Sequence, residues 1–148
     1  MKTNENQKWS ALLKTTDFFK NFDDKELDQI LEICAVKKYA ANQYIVQEGL
    51  RDNSFFVILR GNASIIKGKT PYDKHQISKL SEGDSFGEMA IVLNEPRSAS
   101  VLATIDVYAL CIKGDKIEKL NIEIREKLFW NFATSLAEHL KKRDIMDG

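Results

Sequence analysis

The residues best suited to chemistry lie in one stretch, FGEMAIVLNEPRSASV, at positions 86–101. Arg97 carries a planar guanidinium that suits a phosphate better than a lysine would, and Ser98 adds a hydroxyl. Glu88 offers a carboxylate that can accept hydrogen bonds from sugar hydroxyls. Gly87 permits close approach of the backbone to a ligand, and GEMAIVL suits a short helical turn whose first N–H groups point at an anion. These residues are suited to hold a small anion beside a ribose without cleaving it.

Other motifs are weaker. The GKT triplet at 68–70 resembles the end of a P-loop, but that motif needs a glycine at the position of Ala63. A metal-dependent jelly-roll enzyme would need clustered histidines, and the chain has only His75 and His139. Ser98 has no histidine and acid arranged near it in the sequence as a nucleophile requires. We therefore expect no catalytic residue and no metal ligand.

The composition is that of an ordinary globular protein, with 148 residues, 43% apolar residues and a formal net charge of zero. Zero net charge argues against a general nucleic-acid binder. No apolar run reaches the length of a membrane span, and the first ten residues lack the apolar core of a signal peptide. The sequence predicts a cytoplasmic location, no membrane contact and no direct nucleic-acid partner. Cys34 and Cys111 lie in apolar segments and are expected to be reduced core thiols.

The elements that must position this stretch are helices at both ends and strands between them. Six of the seven glycines fall between residues 49 and 114, as expected for short strands with tight turns. In the N-terminal flank, Leu27, Ile30 and Leu31 share one helical face, and Asp23 with Glu26 resembles a capping box. Strands are predicted near 36–40, 43–47, 54–60, 62–67, 75–80, 99–104 and 107–112, which indicates an antiparallel sandwich or jelly roll.

The period returns to helical after Gly114. Apolar residues follow one another at steps of four along the last predicted helix. The sequence predicts a single domain over 1–148, with helices at about 7–34, a β-roll at about 36–112 and C-terminal helices at about 115–142. The stripe consists of Ile124, Leu128, Phe132, Leu136 and Leu140.

The stretch at 86–101 resembles the phosphate-binding cassette of the cyclic nucleotide-binding domain family. That family's pattern is roughly F-G-E-x-A, a short apolar run, and then P-R-[STA]-A. The segment IVQEGLRDNSFFVILRGNASI also resembles the family's first glycine-marked strands, so the resemblance covers about residues 18 to 135. The matching cassette residues are Phe86, Gly87, Glu88, Ala90, Pro96, Arg97, Ser98 and Ala99.

The resemblance implies a mainly β fold, an eight-stranded jelly-roll-like β-roll with N-terminal and C-terminal helices. It implies that Arg97 pairs with the cyclic phosphate and that Glu88 binds the ribose 2′-hydroxyl. Backbone N–H groups of the cassette would complete the phosphate cradle. The expected ligand-binding residues are Phe86, Gly87, Glu88, Met89, Ala90, Arg97, Ser98 and Ala99.

The residues also have a purely structural interpretation. Arg97 would then be a surface residue after the turn residue Pro96, and Glu88 would cap a helical turn. Either explanation suffices for one residue alone, but their order on this scaffold favours ligand binding. The prediction is a regulatory module that binds a cyclic nucleotide and needs no further cofactor. The resemblance to the family favours cAMP over cGMP as the ligand. The alternatives are the sensory domain of a transcription regulator without its DNA-binding part, and a degenerate domain that no longer binds ligand.

The resemblance further implies that the C-terminal helix covers the base and conveys ligand binding. Phe129, Trp130 and Phe132 are the candidate lid residues. Phe129 and Phe132 also fit a stripe that simply packs on the roll, whereas Trp130 falls outside it. A homodimer or an effector protein is the partner expected at this helix.

Overall fold

The computed structural model describes the backbone of residues 4–147 and the side chains of residues 8–142. Five helices are present in this part of the chain, two before the strands, one within them and two after them. A capping box starts α2, because Glu26 N donates to Asp23 Oδ1 at 2.8 Å and Asp23 N donates to Glu26 Oε1 at 2.9 Å. This confirms the predicted N-terminus. The helices are α1 Asn4–Leu13, α2 Asp24–Ile33, α3 Glu88–Val92, α4 Gly114–Ile117 and α5 Ile122–Asp147.

Within residues 4–147, eight strands form two antiparallel four-stranded sheets. The first sheet has the order β1-β8-β3-β6 and the second β2-β7-β4-β5. This confirms the predicted fold class, a mainly β roll with flanking helices. The strands are β1 Ala35–Tyr39, β2 Tyr44–Val46, β3 Ser54–Arg60, β4 Ala63–Lys67, β5 His75–Leu80, β6 Ser85–Phe86, β7 Ser100–Ala103 and β8 Val107–Lys113.

One strand, β6, was absent from the strands predicted from the sequence. It contains only two residues, so it has no alternating pattern to detect. Its pairing with β3, Phe56 opposite Phe86, places the start of the 86–101 stretch on the edge of the first sheet. The two rings stack with their centroids 5.1 Å apart. This pairing fixes where Gly87 and α3 begin.

The two faces of β3 belong to different apolar cores. Phe56 and Ile58 point between the two sheets, whereas Phe55, Val57 and Leu59 point toward the helices. Because successive strand residues face opposite sides, a strand buried on both faces reads as one continuous apolar run. The segment SFFVIL has this form.

The first half of α5 is fixed to the helical core. Ile124, Leu128 and Phe132 are buried, and the ring of Phe132 lies 5.2 Å from Phe18 and 4.9 Å from Phe55. The predicted stripe continues less deeply, since Leu136 is half-buried and Leu140 is exposed. Packing therefore weakens along α5 after Phe132.

Polar contacts reinforce this attachment. Lys127 Nζ lies 2.8 Å and 3.0 Å from the two carboxylate oxygens of Glu26. Asn131 Nδ2 donates to the carbonyl of Phe18 at 2.7 Å and to Asn21 Oδ1 at 2.9 Å. The proximal turns of α5 are thus held to the N-terminal helical segment.

Both cysteines are free thiols, Cys111 buried and Cys34 partly buried. Burial, and secondarily the nearby Cys111, raises the pKa of Cys34 well above its ordinary value. Within residues 4–147 we find no helix that is both long and apolar enough to cross a membrane.

Candidate functional site

Arg97 lies in the interior of the roll, on the segment between α3 and β7. Its backbone is fixed by two hydrogen bonds, from Arg97 N to Leu50 O at 3.0 Å and from Gly49 N to Arg97 O at 2.8 Å. The side chain is only 5% exposed. The purely structural interpretation, in which Arg97 is a surface residue after Pro96, is therefore wrong.

The protein itself satisfies one end of the Arg97 guanidinium. Nη2 donates to Asp52 Oδ2 at 3.0 Å and to the Ser54 carbonyl at 2.7 Å. Nε is buried and has no hydrogen-bond partner. A buried donor without a partner is costly unless a ligand satisfies it. The group therefore retains donor capacity for an anion.

Asp52 responds to this pairing. Burial alone would raise its pKa, but hydrogen bonds from Arg97 and Ser54, together with the positive charge of Arg97, outweigh burial and lower the pKa. Asp52 thus stays ionised and holds the guanidinium in place.

Gly87 gives the guanidinium its space. Its φ is +103°, in the left-handed region, and it immediately precedes α3. A Cβ at this position would meet Ser54 O at 2.7 Å and Arg97 Nη1 at 2.9 Å. Both the backbone conformation and the close approach therefore require glycine here.

Glu88 is the first residue of α3, and its carboxylate is buried, with 5% of the side chain exposed. Ser135 on α5 donates its hydroxyl to Glu88 Oε1 at 3.1 Å, and His139 Nδ1 lies 3.8 Å from Oε2. Burial raises the pKa of Glu88, an effect that His139 and the hydrogen bonds reduce without cancelling. The structure therefore joins this carboxylate directly to the C-terminal helix.

One cavity of about 400 Å³ connects these groups. It is the size of a small-ligand site, and an apolar wall including Val46 and Val101 faces the polar cassette. All eight sequence-predicted ligand-binding residues line it: Phe86, Gly87, Glu88, Met89, Ala90, Arg97, Ser98 and Ala99. Of all the side chains that the structure describes, Arg97 and Glu88 are the only charged ones that are buried.

The candidate lid residues lie elsewhere in this structure. Phe132 is fully buried in the helical core, while Phe129 and Trp130 are 44% and 74% exposed. The α5 residues that line the cavity are His139 and Lys142, about two to three and a half turns further along the helix. Whether Phe129, Trp130 or Phe132 approaches a bound base stays a prediction.

Sequence reasoning missed four residues of the site. Asp52 and Ser54 act from β3 and the loop before it, and no local pattern links them to Arg97. Ser135 and His139 were detectable in principle, because polar residues four apart on a helix share one face. Among the described residues, no group of three or more histidine, cysteine or acidic side chains could hold a metal ion.

Comparison with known proteins agrees with this geometry. The sequence model of the cyclic nucleotide-binding domain family matches residues 36–121. A cGMP-dependent protein kinase of Plasmodium berghei is 30% identical over 148 residues, covering 93% of this chain and 16% of the kinase. A cAMP-dependent protein kinase regulatory subunit of Mycosarcoma maydis is 30% identical over 105 residues, covering 70% of this chain and 20% of the subunit.

Among solved structures, a cyclic nucleotide-binding domain from Methylobacillus flagellatus superposes with a TM-score of 0.81 at 19% identity, covering 93% of this chain and 79% of that one. That likeness concerns the fold. The chain spans one fifth or less of the kinase and the regulatory subunit that it matches. The family match, which includes the buried arginine and glutamate, covers more than half of the sequence. This chain belongs to the cyclic nucleotide-binding domain family.

Proposed function

We propose that this chain is a regulatory module that binds cAMP in the 400 Å³ cavity, as one domain formed by the roll and its helices. The single observation that carries the proposal is Arg97, a buried guanidinium with an unpartnered Nε, which lines the cavity beside Gly87. An arginine whose sole task is to hold Asp52 would not need to face a cavity. A cyclic phosphodiester supplies the missing acceptor and one negative charge.

In this proposal Arg97 binds the phosphate and Glu88 binds the ribose 2′-hydroxyl. The Arg97 side chain is buried, so solvent screens its attraction to the phosphate only weakly. An ionised Glu88 carboxylate is a strong acceptor, and its hydrogen bond with the 2′-hydroxyl would contribute about 1.5–3 kcal/mol to binding. The N–H groups of Gly87 to Ala90 at the start of α3 and those of Ser98 and Ala99 complete the cradle.

A thermal melting scan tests the proposal with cAMP, cGMP, 5′-AMP and no ligand. At a hundredfold excess over the dissociation constant, binding adds about 2.7 kcal/mol to the stability of the folded state. For a chain of this size we expect the midpoint to rise by roughly 5–10 °C with a cyclic nucleotide. The control is 5′-AMP, which has the same base and ribose but an open phosphate. If neither cyclic nucleotide shifts the midpoint at millimolar concentration, the chain is a degenerate domain.

The choice of cAMP over cGMP depends on the base, which neither Arg97 nor Glu88 reads. Ser98 is exposed at the cavity and carries a hydroxyl. That hydroxyl favours cGMP if it meets the guanine amino group, and it favours neither nucleotide if it meets the phosphate. Competition between cAMP and cGMP on the wild type and on Ser98→Ala distinguishes these cases, because a lost base contact weakens cGMP alone.

We also propose that α5 is the output of the module. It contacts Glu88 at the site and presents exposed apolar side chains, Phe129, Trp130 and Leu140, at its surface. A second copy of the chain or an effector protein would bind there. Light scattering with and without cAMP measures directly whether the chain forms a homodimer. If the chain is a monomer under both conditions, an effector protein remains as the partner of α5.

A further inference from the structure

The backbone that carries Arg97 is attached to the turn between β2 and β3. Gly49 N donates a hydrogen bond to Arg97 O at 2.8 Å, and Arg97 N donates to Leu50 O at 3.0 Å. Three residues further along, at the start of β7, the hydroxyl of Ser100 accepts a hydrogen bond from Glu48 N at 2.8 Å. The segment from residue 97 to residue 100 is therefore held to this one turn at both of its ends.

The side chain of Glu48 connects the same turn to the hairpin formed by β4 and β5. Glu48 Oε1 accepts a hydrogen bond from Gly68 N at 3.0 Å. Gly68 has a φ of +143°, and a Cβ there would lie 2.7 Å from Asp73 O, so the two arms of the hairpin approach closely at this point. Ser100 in turn pairs with Ile66 on β4. The turn and the start of β7 thus share one support, the hairpin.

Neither Glu48 nor Ser100 lines the cavity, and both are half-buried. Successive strand residues face opposite sides, so Ser100 points away from the cavity that its neighbour Val101 lines. These two side chains can therefore influence a ligand only through the segment that they hold. The side chain of Arg97 is bonded to the protein through Nη2, so the position of its other nitrogens also depends on where its backbone lies.

We propose that Ser100 and Glu48 are positioning residues for phosphate recognition. Ser100 fixes the backbone after Arg97 to the turn between β2 and β3, and Glu48 fixes that turn to the β4–β5 hairpin. This rests on the proposed function, and it adds two residues outside the cavity to the binding machinery. A binding group has to be held within about 0.5 Å of its productive position, so a small shift of this backbone is enough to weaken the contact with the phosphate.

Calorimetric titration of the full chain with cAMP tests the role of Ser100. We expect Ser100→Ala to weaken binding about three- to tenfold, because Glu48 N loses its acceptor. Ser100→Thr keeps the hydroxyl and suits a strand, and it should bind within about twofold of the wild type. The matched control is Thr104→Ala: the Thr104 hydroxyl also bonds to the backbone, at Asn62 O, but beyond the other end of β7. Its affinity should not change.

A second measurement separates positioning from general support of the fold. The Rp and Sp phosphorothioates of cAMP each carry sulfur in place of one of the two exocyclic phosphate oxygens. A guanidinium held in one place contacts these two oxygens unequally, so the wild type should bind the two compounds with different affinities. We expect Ser100→Ala to move the ratio of these affinities at least about threefold toward one, whereas Ser100→Thr and Thr104→Ala should keep the wild-type ratio.

The corresponding test of Glu48 compares two substitutions. Glu48→Ala removes the acceptor for Gly68 N and should change both the cAMP affinity and the ratio in the same direction as Ser100→Ala. Glu48→Gln keeps a side-chain oxygen at this position and should retain most of the wild-type behaviour. Melting curves check that each variant folds. If Ser100→Ala does not fold, the two Glu48 variants still decide the question.

Several outcomes would overturn the proposal. They are a wild type that does not distinguish the two phosphorothioates, alanine variants with the affinity and ratio of the wild type, and an equal loss of affinity for all three ligands. Failure of the proposed function is a different result, in which cAMP does not bind the wild type at all.

Discussion

Gly87 and Arg97 fit together only because residue 87 has no side chain: a Cβ there would lie 2.9 Å from Nη1 of Arg97 and 2.7 Å from the Ser54 carbonyl. The carbonyl also accepts a hydrogen bond from Arg97 Nη2. One added methyl group would therefore collide with both the guanidinium and its anchor.

Gly87→Ala should weaken cAMP binding at least about tenfold, because displacing a charged group from its partner costs on the order of 2 kcal/mol or more. The matched control is Gly83→Ala. Gly83 also has a positive φ, +91°, but a Cβ there would have its nearest contact at 3.6 Å, with Thr16. Both variants carry backbone strain of about 1–3 kcal/mol, visible in urea unfolding, but only the first should lose affinity. Equal affinities for the two variants would contradict the steric role of Gly87.

Arg97→Ala should weaken cAMP binding at least about thirtyfold, since truncating one partner of a buried charge pair costs on the order of 2–5 kcal/mol. It should also lower stability by about 1–3 kcal/mol, because the buried Ser54 carbonyl loses its donor. Arg97→Lys keeps the charge without the planar fork and should bind with intermediate affinity. Calorimetry measures all three proteins. Arg97→Ala within threefold of wild type would remove Arg97 from phosphate binding.

Acid should weaken cAMP relative to 2′-deoxy-cAMP. Burial raises the pKa of Glu88, so in the free protein this carboxylate becomes protonated at a higher pH than an exposed glutamate does. The charged form is the better acceptor for the 2′-hydroxyl; binding of cAMP therefore favours ionisation, and affinity falls as the pH falls through the raised pKa. The measurement is the ratio of the two affinities from pH 7 downward.

Two variants locate the pH effect. Glu88→Gln removes the titrating carboxylate and should leave the ratio flat. His139→Gln removes the other titratable group in contact with that carboxylate, and the remaining slope belongs to Glu88. A ratio that does not depend on pH in the wild type, down to the range where exposed glutamates titrate, would contradict the ribose role.

Phe132→Ala should lower the free energy of unfolding by about 3–5 kcal/mol, because it opens a cavity between Phe18 and Phe55. Phe129→Ala is the control, since Phe129 is one turn away on the same helix and 44% exposed, and it should cost less than half as much. Urea unfolding measures both. Similar losses would mean that the first half of α5 is not anchored as the structure shows. If Phe132 instead contacts the base, its variant should lose affinity beyond what its stability explains.

The fold and the cassette could be predicted from the sequence because both depend on patterns among residues that are close together in the chain. The cassette residues are contiguous, and the strands of the roll alternate with turns at short intervals. The buried faces of α2 and the capping box followed from spacing alone. The two-residue strand Ser85–Phe86 could not be detected, because its existence depends on pairing with Phe56.

The long-range contacts of the site could not be predicted in the same way. Asp52 is 45 residues from Arg97, and Ser135 is 47 residues from Glu88. An apolar stripe also does not say what covers it: Phe132 packs on Phe18 and Phe55, whereas Leu140, two turns later in the same stripe, is exposed. Such pairings follow from the tertiary fold: helical spacing can place Ser135 on one face of α5, but the sequence does not say which residue that face contacts.

The two cores that share β3 have a consequence for how the chain acquires its structure. The core between the sheets uses residues from Ile45 to Cys111. The helical core joins Phe18 to Phe132, which have 113 residues between them in the chain. Contacts between distant parts of a chain form slowly, because the loop that connects them must first be closed. During synthesis the roll can therefore begin to fold before α5 has been made. Until α5 packs against it, the face of β3 that belongs to the helical core stays exposed. We expect this face, Phe55, Val57 and Leu59, to be the surface on which an incomplete chain aggregates or recruits a chaperone.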